Sequence, residues 1–293
     1  MTITILDGGI SRELQRLGAP FRQPEWSALA LMETPDLVSA AHDLFAVAGA
    51  DVITTNSYAV VPFHIGDARF AADGARLAAL AGQHARNVAD RRGIRVAASL
   101  PPVLGSYRPD LFDADEARSI LEVLIAGLSP YADIWLAETL STLAEARLIS
   151  EMLSEDARPL WLSFTLNDTD TETAVTLRSG ESVRTAADLA RSVGAQALLF
   201  NCSRPEVMDA AVREASAVLA DSEIAIGVYA NGFGPDDDGV AANEVIRVIR
   251  TDLDPPRYLA WAQQWVASGA TMIGGCCGIG PLHISALAKG LRG

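Results

Sequence analysis

Three cysteines are the residues of this sequence whose type and spacing point most directly to chemistry. Cys202 follows the apolar run at residues 197–201, and the adjacent pair Cys276 and Cys277 follows the apolar and glycine residues 272–275. Both runs are typical of buried strands, so all three thiols are predicted to lie where strands end. Three thiolates that converge on one point suit Zn²⁺, which takes four tetrahedral ligands and would keep its fourth position for water or a substrate. The sequence therefore predicts a catalytic zinc site on these three cysteines.

Adjacent residues of an extended strand point to opposite faces, so the chain must twist before Cys276 and Cys277 can address one ion. Gly274, Gly275 and Gly278 are predicted to supply the backbone freedom for that twist and to leave room for close approach of the backbone. Three other interpretations of the thiols stay open: a disulfide between neighbours, three buried thiols without a metal, and a redox-active or nucleophilic thiol. The sequence begins without an export signal, so a reducing compartment is expected, which counts against the disulfide.

Composition indicates a globular protein and disfavours several classes of partner. The chain has 293 residues, 49% of them hydrophobic and 20% charged, with a formal net charge of -14. Such a negative field disfavours binding to nucleic-acid phosphates or anionic membranes. Residues 258–288 contain no Asp, Glu, Lys or Arg and are long enough to span a bilayer, but glutamines, glycines and Pro281 divide them into predicted helix, strand and helix. We expect a cytoplasmic protein with no nucleic-acid partner and no membrane partner, and no oligomeric state is predicted.

Strand and helix patterns alternate along the whole chain. Apolar, β-branched runs begin near residues 2, 51, 95, 133, 160, 197, 224 and 271, and each is followed by a helical pattern. Eight such repeats favour a closed α/β barrel of the (β/α)8 TIM type over an open sheet, and the chain length suits it. The acidic run at residues 236–238, within the long loop 231–254, is interpreted as a solvated turn. No linker rich in glycine, serine or charge divides the chain, so residues 1–293 are predicted to form one domain.

Local signals predict where several helices begin and end. Thr34 followed by Pro35 has the pattern of an N-cap with proline in the first turn, and Gly49 has the pattern of a helix end. Thr142 and Glu145 have the spacing of a capping box. These signals predict both ends of one helix and the beginning of another.

Polar residues also stand at the predicted strand ends. Asp7, Asn56 and Asn201 end or follow three of the runs, and Glu138 follows the fourth strand, predicted at residues 133–137. In a (β/α)8 barrel the active site lies at the carboxyl ends of the strands, so these side chains are expected to meet the three cysteines there. Asp7 and Glu138 are interpreted as two carboxylates that hold the ammonium group of an amino-acid substrate, and not as an acid and a base.

The predicted metal site indicates a reaction. A zinc ion held by three thiolates favours a substrate sulfur as its fourth ligand, and a thiol bound to zinc is deprotonated at neutral pH. The natural reaction is alkyl transfer to that sulfur, and a cationic methyl donor such as a sulfonium would rest against aromatic faces. Four aromatic residues lie near predicted strand ends: Tyr58, Trp135, Phe164 and Tyr229. A structural role is expected for the four scattered histidines: His42 and His84 in helices, His64 in a loop and His283 in a first helical turn.

Six motifs along the chain resemble those of one family. They are DGG at residues 7–9, TTNSY at 54–58, ET at 138–139, SF at 163–164, NCSRP at 201–205 and GGCCG at 274–278. With these motifs the chain resembles, nearly end to end, the homocysteine S-methyltransferase family. The resemblance implies a TIM barrel, Zn²⁺ on the three cysteines and methylation of homocysteine to methionine, with Asp7 and Glu138 near its amino group. The predicted substrate-binding residues are Asp7, Gly8, Asn56, Glu138 and Asn201.

The resemblance also bears on the methyl donor and on the acceptor. The sequence ends soon after the last predicted barrel helix, so no cobalamin or folate module is expected, and a free sulfonium, S-methylmethionine or S-adenosylmethionine, is the favoured donor. Three loops expected to border the substrate depart from the family pattern, at Pro101-Pro102, Ala230 and Ile279-Gly280. Another small thiol or selenol is therefore the alternative acceptor.

Two interpretations from other functional classes also stay open. The glycine-rich loop after the last strand lies where barrels of this type often cradle a phosphate, and such a site would need no metal. A barrel that binds zinc, or responds to thiols, without catalysing a reaction is the other.

Overall fold

The sequence folds into a barrel of eight parallel strands. The computed structural model describes residues 2–169, 175–234 and 248–292. The strands are β1 (Thr4–Ile5), β2 (Val52–Thr54), β3 (Arg95–Leu100), β4 (Ile134–Leu140), β5 (Leu160–Phe164), β6 (Ala197–Asn201), β7 (Ala225–Tyr229) and β8 (Met272–Ile273). Their order is β1-β8-β7-β6-β5-β4-β3-β2, and a parallel bridge between Leu6 and Val52 joins the two ends of the sheet. The predicted (β/α)8 barrel is confirmed.

Helices follow the strands and cover the outside of the barrel. They are α1 (Ile10–Arg16), α2 (Ala28–Glu33), α3 (Pro35–Ala48), α4 (Pro62–Ile65), α5 (Asp67–Arg92), α6 (Ala114–Leu128), α7 (Leu143–Met152), α8 (Val183–Ser192), α9 (Pro205–Leu219), α10 (Pro255–Ala267) and α11 (Pro281–Arg292). Residues 258–288, which lack charged side chains, divide into most of α10, strand β8 and the start of α11, as predicted. In the part of the chain that the structure describes, no helix has the length and apolarity needed to cross a membrane. The acidic run at residues 236–238 lies outside the described residues.

Helix ends follow the local sequence at most of the predicted positions. The Thr142 hydroxyl accepts from the N–H of Glu145 at 3.1 Å, and the Glu145 carboxylate accepts from the N–H of Thr142 at 2.9 Å, which confirms the capping box of α7. Helix α3 begins at Pro35 and is followed by Gly49 with φ 109°, also as predicted. The predicted capping bond of Thr34 is absent, because its backbone (φ -142°, ψ 54°) leaves the extended conformation that aims a capping hydroxyl at the first turn.

Residues along each strand alternate between two apolar layers. On β6, Ala197 and Leu199 pack inside the barrel, whereas Leu198 and Phe200 pack outward against the helices. This alternation follows from the two-residue period of a strand. The interior layer fills the barrel with side chains, so it is a packed core and not a channel. A ligand site is therefore left to the loops at the strand ends.

Strand β4 is longer than the sequence predicted. It does not end at residue 137 but continues to Leu140, and its pairing with β5 shifts register between Ala137 and Leu140. Thr139 lies inside this irregularity with φ 60°, and the Asn201 side chain accepts from its backbone N–H at 3.0 Å. Glu138 therefore projects from a bulge within the strand, which is a recurrent way to aim a side chain into a site.

Candidate metal centre at the carboxyl ends of the strands

The three cysteines converge on one point. Cys202 follows β6, and Cys276 and Cys277 follow β8, yet their Sγ atoms all lie within 4.8 Å of one another. The Sγ atoms of Cys202 and Cys277 are 4.0 Å apart. A tetrahedral zinc ion with bonds of about 2.3 Å would separate two sulfur ligands by about 3.8 Å, so the cluster has the size that such an ion needs. All three are free thiols in this structure. The metal interpretation requires free thiols, whereas the disulfide interpretation requires two of them to be bonded.

Close packing of backbone, more than backbone freedom, explains the glycines around the pair. Of the three glycines predicted to allow the twist, Gly278 alone has a positive φ, 85°. A Cβ atom at Gly274 would lie 2.5 Å from the Leu6 Cβ, and one at Gly275 would lie 2.2 Å from the Ile279 Cγ2. The predicted close approach of the backbone is thus confirmed at Gly274 and Gly275, where strands and loop leave no room for a side chain, although neither residue has a positive φ.

The thiols already favour one thiolate before a metal is considered. Hydrogen bonds from the Cys276 and Cys277 thiols hold the pKa of Cys202 well below its usual range. The same interaction with Cys202 raises the pKa values of Cys276 and Cys277 well above theirs. Since the thiolate is the form that binds metals, these directions make Cys202 the thiol that ionises most readily of the three.

Four residues other than glycine have positive φ in the described part of the chain, and all four line one cavity. They are Trp26 (φ 48°), Tyr107 (φ 63°), Thr139 (φ 60°) and Cys202 (φ 50°). Such a conformation costs a bulky L-residue on the order of 1–3 kcal/mol, and it persists where the surroundings over-determine it. Backbone strain is therefore concentrated at the same place as the thiols.

This cavity gathers most of the predicted site residues. Its lining includes the three cysteines with Asp7, Gly8, Asn56 and Glu138. Tyr58 and Tyr229 also line it, together with Trp26 and Tyr107, which were not predicted. Trp135 and Phe164 do not line it, because both side chains lie on the outer faces of their strands and are fully buried against the helices. The aromatic wall is thus built from loop residues in place of two of the strand residues expected.

Asp7 is a buried carboxyl held by the end of β2. Its oxygens accept from the backbone N–H of Thr54 at 2.7 Å and from the Thr54 hydroxyl at 3.1 Å. Burial raises the pKa of Asp7 to about 7; the Thr54 bonds oppose this shift, and the charge of Glu138 adds to it.

Glu138 is the second buried carboxyl of the cavity. The Ser99 hydroxyl donates to one of its oxygens, and the Tyr229 hydroxyl donates to the other at 3.4 Å. Burial raises the pKa of Glu138 to about 7, with a further contribution from the nearby charge of Cys202. When both carboxyls are ionised, their two negative charges repel each other. A cation between Asp7 and Glu138 would relieve this repulsion.

Asn56 lines the same cavity and has an unused acceptor. Its Nδ2 donates to the carbonyl of Ser27 at 3.0 Å, which fixes the orientation of the amide, since the reversed amide would set two oxygens against each other. Its Oδ1 is buried and has no hydrogen-bond partner among the described residues. A buried acceptor left unpaired costs stability, so this oxygen is a natural partner for a donor on a bound ligand.

Asn201 ends β6, as predicted, but its side chain contacts the neighbouring strands. It does not line the cavity, and its Oδ1 accepts from the Thr139 N–H at 3.0 Å and from the Ser163 hydroxyl at 2.8 Å. Its Nδ2 donates to the Thr139 hydroxyl at 2.8 Å. These contacts occupy the side chain in holding the β4 bulge that aims Glu138, so the geometry supports a supporting role and not the predicted substrate contact.

The loops that depart from the family pattern lie behind the cavity. Pro101, Pro102, Ala230, Ile279 and Gly280 are themselves absent from its lining, although the loop that contains Ile279 also carries Cys276 and Cys277, which line it. Ile279 is instead 1% exposed and packs in the apolar core. The departures therefore act on packing and on backbone position more than on contact with a ligand.

The loop after β8 is poorly suited to the predicted phosphate alternative. Four of its N–H groups donate to backbone carbonyls at 2.9–3.0 Å: Gly274 to Val228, Gly275 to Asp7, Cys276 to Ala230 and Ile279 to Cys276. A phosphate cradle needs such groups directed at the ligand. In this loop the four N–H groups donate to backbone carbonyls instead, which holds the two cysteines in place.

The histidines lie away from the thiols, as expected of structural residues. None lines the cavity. His64 was predicted in a loop but lies in the short helix α4, where its Nδ1 is bonded to the carbonyl of Pro24 at 2.8 Å. His283, in the first turn of α11, is bonded through Nε2 to the carbonyl of Leu253 at 2.9 Å.

The fold and the site together define a class: (β/α)8 barrels with a cluster of three thiols, able to hold a metal ion, at the carboxyl ends of their strands. The profile of one family, described as Homocysteine S-methyltransferase, matches residues 4–291. The chain belongs to this family and is a methyltransferase.

Relatives match almost the whole chain at moderate identity. Homocysteine S-methyltransferase 1 from Brassica oleracea var. italica is 29% identical over 318 residues, covering 98% of this chain and 93% of that protein. Selenocysteine Se-methyltransferase from the same organism is 27% identical and covers 98% of this chain and 88% of that protein. The crystal structure of the homocysteine methyltransferase MmuM from Escherichia coli, in its metallated form, has a TM-score of 0.79 and 26% identity, covering 99% of this chain and 96% of that chain.

Proposed function

We propose that this protein transfers a methyl group from a sulfonium donor, S-methylmethionine or S-adenosylmethionine, to the thiol of homocysteine, giving methionine. Residues 1–293 act as one homocysteine-binding barrel domain. The observation that carries the proposal is the meeting of three free thiols, within 4.8 Å of one another, with two buried carboxyls in one cavity. The thiols suit a sulfur ligand on a metal, and the carboxyls suit the ammonium group of an amino acid.

Cys202, Cys276 and Cys277 would hold Zn²⁺, since three thiolates in a tetrahedral arrangement select it. When bound, the ion deprotonates a thiol that takes its fourth position, so that a thiolate is present at neutral pH. The chain contributes the arrangement: Cys276 N–H donates to the carbonyl of Ala230 at 2.9 Å, and Gly232 N–H donates to the carbonyl of Cys277 at 2.7 Å. These two bonds fix the loop that carries two of the three ligands.

The amino end of homocysteine is matched by three acceptors. An ammonium group has three N–H bonds, and the cavity offers the carboxylates of Asp7 and Glu138 and the unpaired amide oxygen of Asn56. The positive charge of the ammonium lowers the pKa values of both carboxyls from about 7, so that both ionise when the acceptor is bound. Asp7 and Glu138 are thus binding groups in this proposal, and Gly8 lets the backbone next to Asp7 pack closely, since a Cβ there would lie 2.2 Å from the Ile279 carbonyl oxygen.

The aromatic wall suits a cationic donor. Trp26 and Tyr58 pack edge to face with ring centroids 5.9 Å apart, and Tyr107 and Tyr229 complete the aromatic lining. A sulfonium is stabilised by such faces. In the transfer, a lone pair on the acceptor sulfur forms the new S–CH₃ bond, and the electron pair of the breaking bond stays on the donor sulfur, which leaves as a neutral thioether. Loss of charge weakens its attraction to the wall and favours its release.

A second acceptor is supported by one of the relatives. Selenocysteine Se-methyltransferase matches 98% of this chain, and a selenol is a soft donor like a thiol. Selenocysteine carries the same ammonium group on a side chain one methylene shorter than that of homocysteine. The two acceptors differ in reach and not in chemistry, so relative kcat/KM values decide between them.

Metal content and turnover test the proposal. Protein purified without added zinc should contain one metal ion per chain, and it should form methionine from homocysteine when S-methylmethionine or S-adenosylmethionine is supplied. One zinc ion without methylation of any thiol or selenol would point to a binding protein. Absence of metal binding, even with zinc supplied, would end the proposal.

A further inference from the structure

Tyr107 makes the one hydrogen bond from a noncysteine side chain to a ligand sulfur that the described residues record. Its hydroxyl donates to the Sγ of Cys202 at 3.0 Å. Tyr107 lies in the loop after β3 and Cys202 lies after β6, so the bond joins two separate parts of the barrel rim.

The loop that carries Tyr107 is shaped to make this contact. Tyr107 has φ 63° and Cys202 has φ 50°, so both partners adopt a conformation that L side chains rarely take. The preceding residue, Ser106, is held by a 2.7 Å hydrogen bond between its hydroxyl and that of Tyr58. An aromatic residue that only fills space needs no such conformation. The strained backbone is explained if the direction of the phenol O–H is what the loop must secure.

A guanidinium stacks on the ring of Tyr107 and is itself fixed in place. The Cζ of Arg178 lies 5.0 Å from the ring centroid. Arg178 pairs with Asp168 at 3.0 Å, and Asp168 also accepts from the backbone N–H of Arg204 at 3.0 Å, two residues beyond Cys202. Asp168 thus connects Arg178, which stacks on the Tyr107 ring, to the segment that follows Cys202. A cation over the ring withdraws electron density from it, so the O–H becomes a stronger donor.

We propose that Tyr107 is a positioning residue that tunes the metal centre through Cys202. Its O–H takes up part of the negative charge of the Cys202 thiolate, and Arg178 strengthens this bond from the far side of the ring. The bond orients the sulfur for a metal ion that would bind there. It also limits the charge that Cys202 passes to the ion, so that the ion holds a fourth sulfur ligand more firmly. This inference rests on the proposed metal site.

Cobalt(II) substitution tests the bond independently of turnover. Cobalt(II) is bound to metal-free wild type, Tyr107→Phe and Arg178→Gln, and the sulfur-to-cobalt charge-transfer absorption and the dissociation constant are measured, the latter by competition with a chelating dye. Loss of a hydrogen bond raises the energy of the thiolate donor orbital. Tyr107→Phe should therefore shift the charge-transfer band to longer wavelength and weaken metal binding about tenfold. Arg178→Gln should shift the band in the same direction by less.

Tyr229→Phe is the matched control. It removes a phenol hydroxyl from the same cavity, but that hydroxyl donates to Glu138 and not to a sulfur. Its cobalt spectrum should be that of the wild type. Tyr107→Phe keeps the ring, and a melting temperature near that of the wild type should show that the fold is intact; if that variant does not fold, Arg178→Gln carries the test.

The outcomes separate this inference from the proposed function. Wild-type protein that binds one cobalt ion, with Tyr107→Phe giving the same spectrum and affinity, overturns the role of Tyr107 and leaves the metal centre standing. An equal shift in Tyr229→Phe overturns it as well, because the effect would then come from the cavity and not from the sulfur. Wild-type protein that binds no cobalt overturns the metal centre itself, and this inference with it.

Discussion

Replacing Glu138 by glutamine should weaken binding of the acceptor's ammonium group and leave the metal centre intact. Glutamine keeps the shape of the side chain and one oxygen that can accept from the Ser99 hydroxyl, as Glu138 does. The bond lost on the other oxygen is the weaker one, from Tyr229 at 3.4 Å. A hydrogen bond to a charged group contributes about 1.5–3 kcal/mol, so KM for homocysteine should rise by about 10- to 150-fold near pH 8.

The pH dependence gives the same test a sign. Burial raises the pKa values of Asp7 and Glu138 to about 7 in the free enzyme, so both carboxyls are protonated and uncharged below that pH. Values of kcat/KM for homocysteine should fall as pH falls through about 7, approaching a hundredfold loss per pH unit while two protons must leave. In Glu138→Gln only the proton of Asp7 must leave, so the steepest loss of kcat/KM becomes about tenfold per pH unit. Since the charge of Glu138 helps to raise the pKa of Asp7, the midpoint should also move to lower pH.

Initial rates at saturating donor, with homocysteine varied from about pH 5.5 to 8.5, measure both effects. The homocysteine analogue that lacks the amino group is the matched control, because its kcat/KM should be similar in wild type and variant. Zinc content is measured in the same preparations to exclude metal loss. If Glu138→Gln lowers kcat/KM equally for homocysteine and for the analogue, or keeps the wild-type pH profile, the carboxyls do not bind the ammonium group. Either result refutes the reasoning.

Three further changes have defined outcomes. Cys276→Ser should lose metal and more than about 100-fold of the activity while keeping its melting temperature, because the site is on the barrel rim; zinc analysis and calorimetry check this. Gly275→Ala should disrupt the metal site, since its Cβ would meet Ile279 at 2.2 Å, whereas Gly280→Ala, with its closest contact at 3.9 Å, should bind zinc normally. Burial raises the pKa of Glu145 from 4.5 to about 7, so folding stability should fall as pH rises between those values, by on the order of 3 kcal/mol, because the unfolded state ionises first. Urea unfolding at both ends of that range should show a smaller fall in Glu145→Gln.

The barrel could be predicted because its strands are continuous apolar runs, each followed by a helical pattern, which is typical of parallel sheets covered by helices on the outside. Residues of β5 and β6 are buried on both faces, so each strand appears as an unbroken apolar run followed by a helical pattern. The end of β4 could not be predicted in the same way. Glu138 and Thr139 look like a polar loop, but the bulge that Asn201 stabilises lets the strand continue through them. A contact between residues 62 positions apart in sequence decides that boundary.

The thiol cluster could be predicted from the sequence, but half of the aromatic wall could not. The cysteines are recognisable because residue type limits what three convergent thiols can do. Trp26 and Tyr107 lie in irregular loops, and they reach the cavity through positive φ values that no local pattern specifies for a non-glycine residue. Trp135 and Phe164 were expected at the site because they lie near strand ends, but strand alternation sends both outward. Nearness to a strand end therefore predicts a site residue only when its face is also known.

The altered loops bear less on the choice of acceptor than their sequence implies. Ala230 contributes its carbonyl to the N–H of Cys276, a bond that any residue could make. Ile279 likewise contributes its carbonyl to the N–H of Gly9 while its side chain is buried. Most of the residues that line the cavity, Asp7 and Glu138 among them, belong to the six motifs, whereas Trp26 and Tyr107 do not. The departures at Ala230 and Ile279 therefore leave the side chains of Asp7, Glu138 and the three cysteines free to line the cavity.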